Sequence, residues 1–132
     1  MDPMPAPLLW TLLAWLLAVA ETDRRTGRIP NALVLPGAAA TLACAAVEPT
    51  VGYAAVAAVA PYLVAYRARA CGGGDVKFAV PCGGLAGDPV GALVMVVLAA
   101  LGTLVAACVT RRRQLPHGPA MAVAAATVMI LR

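Results

Sequence analysis

The sequence predicts an all-α membrane protein, a polytopic bundle of about six transmembrane helices in a single domain, residues 1–132. Hydrophobic residues make up 62% of the chain and charged residues 12%, whereas soluble domains are about half apolar and about a quarter charged. A chain with so few polar side chains could not cover a soluble surface, and its apolar residues fall in stretches typical of membrane spans. The charges gather between these stretches, as they do where membrane topology is set.

Turn residues and charges divide the apolar sequence into six candidate helices. They cover about 5–20, 32–47, 51–66, a stretch from after Asp75 to about 87, 90–109 and 119–131. Several are shorter than the ~20 residues that an untilted span needs, so the sequence leaves open whether the fourth and sixth cross fully. Abundant Ala and Gly would let these helices pack closely.

The basic residues predict the orientation of the bundle. With six spans, all of the ten except Arg132 lie on one side, in the loops after the first, third and fifth spans. Cytoplasmic loops are enriched in Lys and Arg, so we expect these loops in the cytoplasm and both termini outside. A cleaved signal peptide ending at Ala18-Val19-Ala20 is disfavoured, because no Lys or Arg precedes that stretch.

The composition also bounds the partners and cofactors. Aromatic residues make up only 5% of the chain, which gives little support to a nucleic-acid partner that stacks on exposed side chains. The four cysteines form no C-x-x-C pair, and only His117 could add an imidazole. We therefore expect no metal and no cofactor, with membrane lipid as the surrounding partner.

Asp23 and Asp75 are the candidate catalytic residues. Each lies at the predicted cytoplasmic edge of a span, where a carboxylate needs water, a partner or a function. The simpler interpretation of Asp23 is a solvated charge beside Arg24 and Arg25, and that of Asp75 is a helix N-cap. If the two carboxyl groups meet, they share a proton, so that one draws a proton from water while the other polarises a scissile carbonyl.

Turn residues accompany both aspartates. Three glycines at 72–74 precede Asp75, and glycine permits close backbone approach and positive φ angles. After the first aspartate, Pro30 fixes φ and Asn31 can cap the second helix. Lys77 is interpreted first as an anchor at the cytoplasmic face. The alternatives for Lys77 are contact with an acidic residue of a substrate and tuning of Asp75.

These motifs resemble those of the type IV prepilin peptidases. The stretch from Gly72 to Phe78 resembles their G-x-G-D-x-K motif and, more distantly, the G-x-G-D of presenilin-type intramembrane aspartyl proteases. Asp23 followed by Ile-Pro-Asn at 29–31 is similar to the family's first aspartate and its I-P-N turn. Residues 115–119 resemble the entry to the family's last helix.

The resemblance implies an aspartic-type endopeptidase. Such enzymes remove the short basic leader from type IV prepilins or pseudopilins at the cytoplasmic face of a bacterial or archaeal inner membrane, usually cutting just after a glycine. On the matched positions, Asp23 and Asp75 form the catalytic pair. The residues expected to bind substrate or shape the loops of the site are Gly72, Gly74, Pro30, Asn31 and Lys77.

The resemblance is to the compact members of the family. The large members carry an N-terminal cytoplasmic segment with paired cysteines that is linked to methylation, whereas this sequence starts at its first span. We expect a peptidase without methyltransferase activity, like the members that serve tight-adherence (Flp-type) pili or archaeal preflagellins. His117 stands where a larger aromatic residue is common.

Two functions of other classes stay open on the sequence. One is a small multispan transporter, because acids in membranes often mark ion paths, although no acid lies mid-span here. The other is a catalytically inactive membrane subunit of a pilus-assembly or secretion machine. The sequence does not predict the oligomeric state.

Overall fold

A computed structural model describes residues 4–132, which form six α-helices with no strand among them. The helices are α1 (Ala6–Thr26), α2 (Asn31–Val47), α3 (Pro49–Arg67), α4 (Gly73–Ala86), α5 (Pro89–Thr110) and α6 (Gly118–Leu131). The predicted all-helical class and the number of helices are confirmed. The apolar stretches define these helices well because Pro, Gly and charged residues interrupt the chain between them.

The first helix runs past the predicted end of its apolar stretch. Its polar last turn is held in helical form by Glu21, which pairs with Arg24 at 2.7 Å and with Arg25 at 2.5 Å. Residues three and four apart are neighbours on a helix surface, which explains both pairs. Gly27 then ends the helix at a φ of 66°, a left-handed conformation that glycine adopts readily. Asp23 therefore lies within α1.

Two helices also begin differently from the predictions. Asp75 is not an N-cap, because α4 begins at Gly73 with Gly72 as the capping residue. None of the glycines at 72–74 adopts a positive φ, so that freedom is not used there. Asn31 is likewise the first residue of α2 and does not cap it, because Pro30 occupies the N-cap position with a φ of −72°.

The helices form a ring of five around α4. The ring runs α1, α2, α3, α5, α6 and back to α1, and its loosest junction is between α1 and α2. α4 packs against α2, α3, α5 and α6, and it meets α1 through the rings of Phe78 and Trp15, whose centroids are 5.8 Å apart. Phe78, Ala79, Cys82 and Ala86 on α4 are fully buried. A short helix enclosed by other helices does not need to match the thickness of a bilayer.

α4 packs closely on the backbone of α3. A Cβ atom on Gly83 would lie 2.7 Å from the carbonyl oxygen of Ala54 and 2.7 Å from the Cβ of Ala58. Only a hydrogen atom fits at this position. Small residues at such a crossing allow helix backbones to approach closely, as is common in membrane bundles.

The outside of the bundle is apolar. Large hydrophobic side chains are exposed along the ring helices, including Leu17, Val56, Leu104 and Val105. α1, α3 and α5 are each long and apolar enough to cross a membrane, and α2 and α6 are shorter apolar helices. An extensive apolar exterior of this kind is that of a membrane protein.

Candidate active site

A cavity of about 880 Å³ contains both candidate aspartates. It lies where the C-terminal ends of α1 and α3 meet the N-terminal ends of α4 and α6, beside α5. Besides Asp23 and Asp75, its lining includes Tyr62, Thr103 and His117. The fold thus brings five helices together around two carboxyl groups.

Asp23 is buried against the beginning of α6. Its exposed fraction is 4%, and its Oδ2 accepts a hydrogen bond of 2.8 Å from the backbone N–H of Gly118. The interpretation of Asp23 as a solvated charge beside Arg24 and Arg25 is wrong, because both guanidinium groups pair with Glu21 instead. A buried carboxylate at a helix N-terminus meets the positive end of the helix dipole, which stabilises its negative charge.

Asp75 lies in the first turn of α4 and is half-buried. Its Oδ2 accepts a hydrogen bond of 3.3 Å from the N–H of Gly72, so the side chain reaches back to the start of its own helix. A Cβ atom on Gly74 would lie 3.3 Å from the Cβ of Ile29, whereas one on Gly72 would meet nothing within 4 Å. Gly74 therefore allows the α4 start to lie against the turn after α1.

Lys77 and Asn31 connect α4, which carries Asp75, to the start of α2. Lys77 Nζ donates a hydrogen bond of 3.0 Å to Asn31 Oδ1 at the exposed edge of the bundle. Of the five residues predicted to bind substrate or shape loops, Gly72 and Gly74 line the cavity, whereas Pro30, Asn31 and Lys77 lie outside it. Lys77 and Asn31 join α4 to α2, and Pro30 occupies the N-cap position of α2.

His117 and its two partners are part of the site that the sequence did not predict. Its Nε2 lies 2.8 Å from the hydroxyl oxygen of Tyr62, and its Nδ1 lies 2.6 Å from Oγ1 of Thr103. Burial lowers the pKa of His117 below its usual value, while the negative charges of Asp75 and Asp23 act in the opposite direction. The only feature of the sequence that pointed to this part of the site was the single histidine directly before Gly118 and Pro119.

The lowered pKa of His117 predicts a pH dependence of stability. The unfolded chain binds a proton on this histidine below about pH 6.5, whereas the folded protein resists it. The stabilisation is thus fully present above about pH 6.5 and is lost as the pH falls toward the lowered value. We expect the thermal unfolding midpoint in detergent to fall between about pH 7.5 and pH 5, and to fall less in His117→Gln. Equal slopes in both proteins would contradict this assignment.

Fold and site together define a helical membrane protein with two carboxyl groups in one cavity at one end of its bundle. The sequence profile of the type IV leader peptidase family matches residues 10–111, most of the chain. The chain therefore belongs to the type IV leader peptidase family, as the resemblance predicted. The matched region contains Asp23 and Asp75 and ends before His117. Comparisons with curated proteins and with solved structures find no match.

Proposed function

We propose that the protein is an aspartic-type endopeptidase that removes the leader peptide from type IV prepilin-like precursors, including those of Flp-type pili. The observation that carries the proposal is that Asp23 and Asp75 line one cavity in a chain of this peptidase family. The cavity is large enough for an extended peptide segment and a water molecule beside the two carboxyl groups. Residues 1–132 act as a single peptidase domain, and the mechanism needs no metal or cofactor.

The two aspartates take different parts in hydrolysis. Asp23 acts as the ionised base, because a buried N–H group and the N-terminus of α6 favour its negative charge. It takes a proton from water as the water oxygen attacks the scissile carbonyl carbon. Asp75, whose bond to Gly72 is longer, carries the shared proton and donates a hydrogen bond to the carbonyl oxygen. When the tetrahedral intermediate collapses, the C–N bond breaks, the leaving amine takes the proton that Asp23 received from water, and Asp75 keeps or regains its own proton as the carbonyl group re-forms.

The basic end of the bundle supports an orientation in the membrane. Arg28 and Arg113 line the cavity, and Arg24 and Arg25 lie in the last turn of α1 beside it. Loops rich in arginine stay in the cytoplasm. We therefore place the cavity at the cytoplasmic face of a bacterial or archaeal inner membrane, with both termini outside. Gly72 and Gly74 shape the loop of Asp75, and Lys77 with Asn31 braces it against α2.

A cleavage assay tests the proposed function. Purified protein in detergent is mixed with a prepilin-type precursor, and mass spectrometry measures the released leader and the position of the cut. We expect one cut at the end of the leader, and no product from the same precursor supplied without its leader. Folded protein that cleaves no precursor would contradict the proposal and favour an inactive subunit of an assembly machine, or a transporter if vesicles then show ion uptake.

Gly118→Ala is expected to lower kcat roughly 10- to 100-fold in this assay. A Cβ atom at this position would lie 2.5 Å from Oδ2 and 2.9 Å from Cγ of Asp23, so it displaces the carboxyl group. Gly102→Ala is the matched control, because its Cβ would meet only the Cβ of Ala120, at 3.6 Å. If Gly118→Ala retained the kcat of Gly102→Ala, the contact with Asp23 would have no part in turnover.

A further inference from the structure

The side chain of His117 connects two helices that line the cavity. Its Nε2 bonds with the hydroxyl group of Tyr62 on α3, and its Nδ1 bonds with that of Thr103 on α5. The rings of His117 and Tyr62 also pack together, with centroids 5.5 Å apart and planes inclined by 54°. A neutral imidazole donates from one nitrogen and accepts at the other, and a hydroxyl group can take either role, so both nitrogens are satisfied in either tautomer.

His117 is therefore not placed to act as a base. Both of its nitrogens are engaged, so neither is free to take a proton from water. The charged groups that act on the ring are Asp23 from α1 and Asp75 from α4. The other ionisable groups that line the same cavity are Tyr62, Cys71, Arg28 and Arg113. Among these groups the imidazole serves as a bridge between helices.

The backbone of His117 sets the direction of the N–H group that meets Asp23. Because peptide units are planar, ψ of one residue determines where the next N–H points, and ψ of His117 is −23°. Its carbonyl oxygen accepts a hydrogen bond of 3.1 Å from the N–H of Met121, which holds it to α6. The next residue, Gly118, then donates to Asp23.

The loop that leads to this point has little regular structure of its own. Residues 112–117 form no helix, and Pro116 within them has no N–H to donate. The ring of His117 is the part of this loop end that is bonded to α3 and α5. The two bonds made by the imidazole therefore tie the residue directly before the Gly118 amide to α3 and α5.

We propose that His117 is a positioning residue of this peptidase, which holds the start of α6 against α3 and α5 and thereby keeps the Gly118 amide on Asp23. The inference rests on the proposed function, because the orientation of Asp23 affects turnover only if Asp23 is a catalytic residue. A contact that orients one catalytic carboxylate acts on turnover more than on substrate binding. Misplacement by about 1 Å can reduce a rate by about 10²-fold.

The test measures kcat and KM for leader removal in three variants. His117→Phe keeps a ring beside Tyr62 but removes both hydrogen bonds, and we expect kcat to fall roughly 10- to 100-fold while KM changes less than about twofold. Thr103→Val removes one of the two bonds and should lower kcat less. The double variant should lose no more than His117→Phe, since residues that act through one contact are not additive. An unchanged kcat, a loss that lies wholly in KM, or additive losses would overturn the proposal.

A second measurement does not require cleavage. In protein labelled with nitrogen-15 glycine, the amide resonance of Gly118 is the one that disappears in Gly118→Ala. We expect it to shift in Asp23→Asn, which removes the charge it bonds to, and in Thr103→Val, which removes one bond of the imidazole from a position 14 residues away along the chain. If wild type cleaves leaders and this resonance does not move in Thr103→Val, the positioning role is overturned while the proposed function stands. If wild type cleaves nothing but the resonance moves in both variants, the proposed function fails and the contact stands.

Discussion

Asp23→Asn and Asp75→Asn are each expected to lower kcat for leader removal by roughly 10²- to 10⁴-fold. Asparagine suits this test because its amide oxygen can still accept the N–H bonds that the carboxylates receive from Gly118 and Gly72. Both variants should therefore fold. They lose only the negative charge that takes a proton from water, or the proton that polarises the carbonyl. The measurement is the single-turnover rate at saturating precursor.

Asp88→Asn is the matched control for these two variants. Asp88 is also a carboxylate at a helix N-terminus, where it accepts a hydrogen bond of 2.9 Å from the N–H of Gly91. It lies outside the cavity, so we expect its kcat to equal that of wild type. If only one of the two cavity aspartates were needed, hydrolysis would proceed through a single carboxylate. If neither were needed, the aspartic mechanism would be wrong.

Gly83→Ala is expected to destabilise the protein by about 1–3 kcal/mol or more, the usual cost of overpacking a core. The added Cβ would lie 2.7 Å from the Ala54 carbonyl oxygen, 2.7 Å from Ala58 Cβ and 2.8 Å from Ala55 Cα. Two of these three atoms belong to the α3 backbone and cannot move unless the whole helix shifts away from α4. We expect a lower thermal unfolding midpoint in detergent and a lower yield from the membrane.

Gly102→Ala is the matched control for Gly83→Ala, because there is space for the added Cβ atom at position 102. It lies within α5, and its Cβ would make only an ordinary contact of 3.6 Å with Ala120. Alanine in a helix interior is more favourable than glycine by roughly 1 kcal/mol, so this variant should unfold at the same or a higher temperature. If Gly83→Ala were as stable as Gly102→Ala, the close packing of α3 on α4 would be wrong.

The sequence predicted the helices because their signals are local. Apolar stretches end at Glu48 and Pro49 and near Gly87, and α2 and α4 end at these places in the structure. The last turn of α1 escaped prediction because its residues are polar and its helical form depends on the pairs that Glu21 makes. The start of α2 was predicted one residue late, because Pro30 is the N-cap and the side chain of Asn31 bonds to Lys77 on α4 instead of capping the helix.

The sequence predicted only those residues of the site that belong to a recognisable motif. The spacing of Asp23 and Asp75 from their turn residues was enough to nominate both, and the fold places them in one cavity. The partners of His117 lie 55 and 14 residues away along the chain, on other helices. No pattern within its loop indicates them, because the packing of the whole ring decides which hydroxyl groups it meets.

The ring arrangement has a consequence for the newly made chain. Asp23 is synthesised long before its partner Gly118, which follows 95 positions later at the start of α6. Five helices can enter the membrane while this carboxylate still lacks the amide that orients it. The ring closes only when α6 packs against α1. A nascent chain interrupted before α6 therefore lacks the contact that orients Asp23, and under the proposed function the complete site forms only after α6 has been made.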